Sequence, residues 1–319
     1  MIERLDAFMA RANTAYYATR DPFADFATAP EISQAFGEIL GMWSVIVWQS
    51  MGSPAPFILA EAGPGRGTLM ADALRAAGRV PGFRAAAQIH LVETSPRLRA
   101  EQASRIAGAT WHDRLENVPP GPFILLANEF IDALPIRQFI RGPACWLERH
   151  VEHGAFLDLP TEIDFGPAEP GTIRELRDPT LAADLGARLA TTPGAALFID
   201  YGPAESAPGD SLQALRDGKP ADPLSDPGTA DLTAHVDFQA LARDAAGAQP
   251  HGPVSQGRFL IGLGLYQRCL ALARTQPPLK AAAIMEAARR LAEPDRMGRL
   301  FKALALCHPG LPTPPGFET

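Results

Sequence analysis

The sequence predicts an α/β fold with a mostly parallel seven-stranded sheet and helices on both of its faces. N-terminal helices precede the sheet, and a β insertion and a C-terminal helical insertion interrupt it. Three observations carry this. Ile58-Leu59-Ala60-Glu61-Ala62-Gly63-Pro64-Gly65-Arg66-Gly67-Thr68 joins a short apolar run to a glycine turn and then to a helical pattern. Ile89-His90-Leu91-Val92-Glu93 repeats the apolar run with an acid at its tip. Phe123-Ile124-Leu125-Leu126-Ala127 does so again before Asn128-Glu129. Continuous apolar runs of this length, separated by helical patterns, are the mark of parallel strands covered on both faces.

Taken in order, residues 2–11 predict a short helix with Leu5, Phe8 and Met9 on one face, and Tyr16 to Pro30 reads as a loop. Phe36, Ile39, Leu40, Trp43 and Val47 recur at helical spacing from about Ser33 to Met51, and Gly52-Ser53-Pro54 stops them. The first strand covers 57–61, a helix runs from Thr68 to Ala77, and the second strand covers 88–93. Ser95-Pro96 has the form of a capped helix start, with the helix running to about Ala107. Strands follow around Thr110-Trp111 and at 123–128. Ile136 to Ile140, Cys145 to Val151 and Ala155 to Leu159 then read as short antiparallel strands between Gly-Pro and His-Gly turns. A helix near 181–190 leads to the apolar strand 195–200, and 203–230 reads as a Pro-, Gly- and Asp-rich surface segment. Asp231 or Thr233 is expected to cap a helix reaching about Ala246, with His235 and Asp237 holding the 203–230 segment in place. Three helical stretches fill 256–293, broken at Gly262-Leu263-Gly264 and Pro277-Pro278. Arg299 to Leu306 closes the sheet, and the proline-rich tail after His308 is expected to be loose. The segments are therefore 1–52 (helical, with a lid loop), a core at 53–255 carrying the β insertion 136–160, a helical insertion at 256–296, and a closing strand and tail at 297–319.

Composition narrows the function classes. At 319 residues and 46% apolar, the chain has ample material for a core. A net charge of −7 lacks the basic excess a general nucleic-acid binder needs to neutralise phosphates. Cys145, Cys269 and Cys307 are scattered and form no C-x-x-C, so neither a disulfide framework nor a zinc site is indicated. No run approaches a membrane-spanning length of about 18 apolar residues. The N-terminal residues read neither as a signal core nor as a transit segment, and the expectation is a cytoplasmic protein without membrane insertion.

The glycine turn carries the chemistry. Dinucleotide folds use G-x-G-x-x-G, but the residue three after Gly65 is Thr68, which disfavours an ordinary dehydrogenase. E-x-G-x-G-x-G is the variant used for S-adenosylmethionine, and the element order fits a Rossmann-like, class I methyltransferase sheet. Such a turn brings bare backbone and a helix N-terminus against a ligand. The competing reading of Gly63, Gly65 and Gly67 is an ordinary turn. Glu93 sits where such folds hold ribose hydroxyls; the alternative is a solvated strand end.

Several longer stretches are similar to one family. Glu61 to Asp72, Thr28-Ala29-Pro30-Glu31-Ile32-Ser33-Gln34 with Phe36-Gly37-Glu38, and Ala127-Asn128-Glu129-Phe130-Ile131-Asp132-Ala133-Leu134-Pro135 resemble the MidA/NDUFAF7 family. So do Ile199-Asp200-Tyr201-Gly202, Ala230 to Phe238 and Gly252 to Gly257, so that the resemblance spans about Tyr16 to Leu306. Two departures stand out. The loop Arg20 to Phe26 is a few residues shorter than the family form, with Ala24 where glycine is usual, and position 62 is Ala where a larger residue is usual.

The resemblance implies an S-adenosylmethionine-dependent methyltransferase, with a protein substrate methylated on an arginine of a complex I subunit. Methyl transfer from a sulfonium is an in-line displacement needing positioning and water exclusion rather than a metal. An arginine acceptor stays protonated at neutral pH, so carboxylates must localise its charge on one nitrogen. Glu129 is expected to orient the guanidinium with Asp132 helping, although Asp132 reads equally as a helix cap. Glu61, Gly63, Pro64, Gly65, Gly67, Glu93 and Asn128 are the expected cofactor residues, Glu61 either taking the cofactor's amino group or bracing the loop. His112 and Asp113 are expected near adenine, with an ordinary surface or core histidine as the alternative for His112. Arg66 reads either as a contact to the cofactor carboxylate or as solvent-facing. Thr28, Pro30 and Glu31 read as capping chemistry or as a lid, and Asp200 and Tyr201 as lining the acceptor channel. Two alternatives stay open: a methyltransferase for a small molecule or another protein, and a non-catalytic assembly factor that retains cofactor binding.

Overall fold

The structure, a computed structural model, describes residues 2–20 and 28–318. It divides into two compact units: Ala27–Phe130, Thr180–Ala204 and Asp237–Thr319 make the larger, and Met1–Phe26, Ile131–Pro179 and Glu205–Val236 the smaller. Both cut across the sequence-derived segments. Residues 1–52 are shared between the units, and the β insertion begun at 136 continues to Arg177.

The larger unit holds seven strands: β1 (Phe57–Ala62), β2 (Ala87–Val92), β3 (Ala109–His112), β4 (Phe123–Asn128), β5 (Gly194–Tyr201), β6 (Gln249–Ser255) and β7 (Phe301–Cys307). Their spatial order is β3-β2-β1-β4-β5-β7-β6. β1 to β5 pair in parallel, whereas β7 runs antiparallel to both β5 and β6, so the sheet is mixed rather than simply parallel. The cause lies in how the chain returns. Gly202 N–H meets the Leu300 carbonyl at 3.5 Å and Phe301 pairs with Tyr201, so β7 enters at the end where β5 finishes and must run back along it. β6 escaped the sequence reading because Gln249–Ser255 carries two prolines and a glycine; it is an edge strand with a bulge between His251 and Val254, where proline is tolerated.

Side chains alternate across a sheet. Phe57, Leu59, Ile89, Leu91, Ile124, Leu126, Leu197 and Ile199 share one face and one core cluster with Phe36, Leu40 and Trp43 of the helix Gln34–Ser50 and Leu69 and Met70 of the helix Thr68–Ala77. Those two helices touch through Gly37 and Gly41. A Cβ at Gly41 would stand 2.4 Å from the Ala73 carbonyl oxygen, and one at Gly37 would stand 2.7 Å from Asp72 Cβ. The tail after His308 is packed rather than loose. Phe317 is buried against Phe259, and Trp43 Nε1 donates to the Pro315 carbonyl at 3.2 Å. Burial of one aromatic outweighs the proline content that suggested disorder.

In the smaller unit the first helix runs Leu5–Thr19, well past residue 11, because Ala12, Asn13 and Tyr16 continue its buried face. Much of the expected loop, with its shortened stretch and Ala24, lies outside the described residues. Strands Glu3–Arg4, Trp146–Glu152, Ile136–Arg141 and Ile173–Arg177 pair antiparallel in that order, with Ala155–Pro160 on Trp146–Glu152. A second sheet orders Lys219–Ala221, Gln213–Arg216 and Asp231–Thr233. The supposed cap at Asp231 or Thr233 is thus a strand. The next helix starts at Phe238, where Asp237 accepts from Ala240 N–H at 2.8 Å. His235 does tether the 203–230 segment, through its own backbone: its N–H donates to Ser211 Oγ at 2.9 Å. The Asn13 amide bonds the backbone of Ala133 and of Leu232.

Candidate active site at the glycine turn

From β1 the chain adds strands outward to β3, then returns to place β4 on the other side of β1. That reversal opens a crevice beyond the carboxyl ends of β1 and β4, the general ligand position in such sheets. The glycine turn leaves β1 there. Gly63, Gly65 and Gly67 have φ of +64°, +52° and +78°, a region that L side chains avoid. Gly63 is held by its N–H on the Val92 carbonyl at 3.1 Å, and a Cβ on it would stand 3.0 Å from the Phe130 ring. Gly67 N–H closes the turn on the Pro64 carbonyl at 2.7 Å.

Glu61 and Asn128 lie on the same sheet face, because Glu61 pairs with Leu126 and Asn128 follows two residues later. Both are buried. Glu61 Oε2 and Asn128 Oδ1 find no hydrogen-bond partner among the described residues. Burial pushes the Glu61 carboxyl up to about 8, only partly opposed by the Met70 N–H. Buried acceptors without donors are costly. A ligand group that brings several N–H donors and a positive charge fits this pair.

Glu93 lies at the tip of β2. Its Oε1 accepts from Ser95 N–H at 2.8 Å and its Oε2 from Gln102 Nε2 at 3.3 Å. Burial raises its pKa against the opposing hydrogen bonds from Ser95, Gln102 and Thr94. Gln102 also donates to the Gly65 carbonyl at 2.7 Å and accepts from Trp111 Nε1 at 2.8 Å. The sequence reading missed Gln102 and Trp111. The available signal was Gln102 in register with Leu98 and Ile106 on the buried stripe of its helix, a polar residue where an apolar one was due.

His112 and Asp113 turn to other partners. His112 Nε2 lies 2.8 Å from His90 Nδ1 in a stacked pair, and burial lowers both pKa values. Asp113 binds Arg99, whose Nε also donates to the Glu93 carbonyl at 2.7 Å. Arg66 lies 3.7 Å from Glu101.

Glu129 follows β4 with φ +50°, a conformation that costs a non-glycine residue energy and clusters at functional sites. Its Oε1 accepts from Asn128 Nδ2 at 3.0 Å and from Ala29 N–H at 3.1 Å. Ala29 opens the short helix Ala29–Ile32, with Pro30 in its first turn and Thr28 at its cap position. Glu31 of the same helix accepts from Thr68 Oγ1, at the start of the helix that follows the glycine turn. Thr28, Pro30 and Glu31 thus belong to a strap running from Glu129 to Thr68. Asp132 and Asp231 belong to the smaller unit, where Tyr17 donates to Asp231 at 2.8 Å and both aspartates help raise its pKa, after burial. Asp132 Oδ1 accepts from Ala133 N–H at 2.9 Å, but residues 131–135 form a turn leading into the strand Ile136–Arg141, so no helix starts there for Asp132 to cap. Asp200 is buried, accepting from Tyr201 N–H at 2.8 Å, and the Tyr201 ring packs edge-on against Phe301.

Comparison with known proteins agrees with this geometry. Residues 39–254 match the model of an S-adenosyl-L-methionine-dependent methyltransferase family. The chain is 35% identical to the Drosophila melanogaster protein arginine methyltransferase NDUFAF7 homolog, mitochondrial, covering 91% of this chain and 77% of that protein. It is 34% identical to the human protein arginine methyltransferase NDUFAF7, mitochondrial, over 91% and 76%. A COG1565 superfamily protein from Burkholderia thailandensis, bound to S-adenosyl-homocysteine, superposes with a TM-score of 0.80 at 25% identity, covering 99% of this chain and 90% of that one. These relatives overturn the cytoplasmic expectation, since the curated ones are named mitochondrial. Among the described residues, no helix is long and apolar enough to cross a membrane. The chain is an S-adenosylmethionine-dependent methyltransferase and belongs to the family of the NDUFAF7 protein arginine methyltransferases.

Proposed function

We propose that this methyltransferase is a protein-arginine N-methyltransferase acting on a subunit of complex I, the NADH:quinone oxidoreductase. The names of its relatives support the arginine acceptor, and the family resemblance supports complex I. The observation that carries the orientation of the site is the pair of unpartnered acceptors, Glu61 Oε2 and Asn128 Oδ1, beside a turn of positive-φ glycines. S-adenosylmethionine supplies the electrophilic methyl group on its sulfonium. Glu61 and Asn128 take its α-ammonium, the backbone of Gly63, Pro64, Gly65 and Gly67 passes along it, and Glu93 takes the ribose hydroxyls. Asp113 acts by holding Arg99 on the Glu93 carbonyl, and His112 borders the adenine side.

Glu129 faces the acceptor. A guanidinium carries its charge at every accessible pH, so a carboxylate holding two of its N–H groups leaves the third nitrogen richer in electrons and aimed for in-line attack. Asp200 and Tyr201 line the acceptor channel in this reading. The strap bearing Thr28, Pro30 and Glu31 excludes water, which a displacement at a sulfonium requires. Labelled S-adenosylmethionine and the protein, incubated with lysate from cells lacking it, test the reading. Label on an arginine of a complex I subunit is the expected result. Label confined to a small-molecule fraction overturns the acceptor, and cofactor binding without label overturns catalysis.

A further inference from the structure

We propose that Gln102 is the positioning residue for ribose recognition, the buried group that locks Glu93 to the glycine turn. The inference rests on the reading that Glu93 takes the ribose hydroxyls.

A carboxamide offers one acceptor and two donors, and here its orientation is forced. Trp111 Nε1 is a donor only, so the Gln102 oxygen must face it at 2.8 Å. The amide nitrogen then faces two acceptors, the Gly65 carbonyl at 2.7 Å and Glu93 Oε2 at 3.3 Å. Gln102 is fully buried, so neither bond is shared with bulk solvent. The helix that carries it can lie this close only because residue 67 is glycine. A Cβ there would stand 3.3 Å from Gln102 Cγ and 2.9 Å from Ile106 Cδ1. Ser95 N–H fixes the second Glu93 oxygen and Arg99 its carbonyl, so Gln102 completes a carboxylate held in one orientation. A single amide thus ties β2, β3 and the turn together. Its loss leaves Glu93 tethered by Ser95 N–H but unties the carboxylate from the glycine turn, and the cost falls on the ribose rather than on the whole ligand.

The test measures Kd for S-adenosyl-homocysteine and for its 2′-deoxy and 3′-deoxy analogues, on the wild type, Gln102→Glu, Trp111→Phe and Glu93→Gln. Gln102→Glu keeps the acceptor for Trp111 but removes the donor and sets a second negative charge beside Glu93. Trp111→Phe keeps Gln102 and frees its oxygen, and carries the same prediction if the first variant does not fold. In the wild type, removing a ribose hydroxyl should weaken binding about tenfold or more, the range for a hydrogen bond to a charged group. In both the Gln102 and Trp111 variants this ribose penalty should shrink several-fold. Loss of affinity that is equal for all three ligands is the signature of a merely structural amide and overturns the proposal. A penalty that falls in Glu93→Gln but stays intact in the other two overturns the role of Gln102 while leaving Glu93 its hydroxyls. A penalty intact in Glu93→Gln as well removes the ribose reading and this inference with it.

Discussion

In Glu61→Gln the side chain keeps its shape and loses its titration, which isolates the proton chemistry of the cofactor site. The Glu61 carboxyl is fully buried and pushed up to about 8, so at pH 7 it holds about 0.9 of a proton in the empty protein. An ammonium seated on it drives that proton off. Binding of S-adenosyl-homocysteine at pH 7 should therefore release most of one proton, and less as the pH rises past 8. Calorimetry in phosphate and in Tris reads this directly, because the apparent heat differs by the protons released times the difference in buffer ionisation heat. Glu61→Gln should abolish the buffer dependence and weaken binding about tenfold or more. The same group sets an opposite trend in the empty protein. Its folded pKa lies above the ordinary carboxylate value of 4.5, so the folded state keeps a proton that the unfolded state gives up. Stability then falls as pH rises from about 4.5 to about 8 and is level above. At pH 7 the cost is 2.5 pH units at 1.36 kcal/mol each, about 3 kcal/mol, and Glu61→Gln should recover it. Heats that do not depend on buffer in the wild type, or an equal dependence in the variant, would refute the placement of the ammonium on Glu61.

Three further outcomes are expected. Glu129→Gln should retain S-adenosyl-homocysteine affinity within about twofold while turnover with the protein acceptor is lost, because the amide preserves an acceptor for Ala29 N–H but no longer offsets a guanidinium charge; unchanged turnover would remove Glu129 from the chemistry. Gly63→Ala must hold alanine at φ +64° with its Cβ against Phe130, which should cost about 1–2 kcal/mol in urea unfolding and weaken S-adenosyl-homocysteine binding. Glu38 is buried, and hydrogen bonds from Arg268 and Arg75 overcome the upward push of burial to hold its pKa low. Glu38→Ala should lower unfolding free energy by about 1 kcal/mol, since Arg75 and Arg268 are partly exposed and Arg75 keeps Asp72, with ligand affinity in the folded fraction unchanged.

The centre of the parallel part of the sheet was open to reading because β1, β4 and β5 are apolar runs that reach a polar residue at their tips, and the helix Thr68–Ala77 matched its expected bounds. What escaped has local causes. β6 is written in prolines and glycine, and its pairing comes entirely from β7. The strand Asp231–Thr233 carries two polar residues that look like caps until Asn13, distant in sequence, bonds the backbone of Leu232. Within the site, Glu61, Glu93 and Glu129 stood out as acids at strand tips. Gln102 did not: its place on the buried helix stripe marks it as buried, but its three partners, Gly65, Glu93 and Trp111, come from separate stretches of chain.

β7 lies between β5 and β6, yet it is the seventh of these strands to leave the ribosome. Until Phe301–Cys307 emerges, β5 presents a bare hydrogen-bonding edge and β6 has nothing to pair with. Growth of the sheet from its middle therefore stalls with a template for foreign strands exposed. A nascent chain of this design gains little from folding as it is made, and must hold that edge apart from other chains until the closing strand arrives. A heptapeptide near the end of the described chain, apolar but for Lys302, thus acts as the keystone of the sheet that presents Glu61 and Asn128.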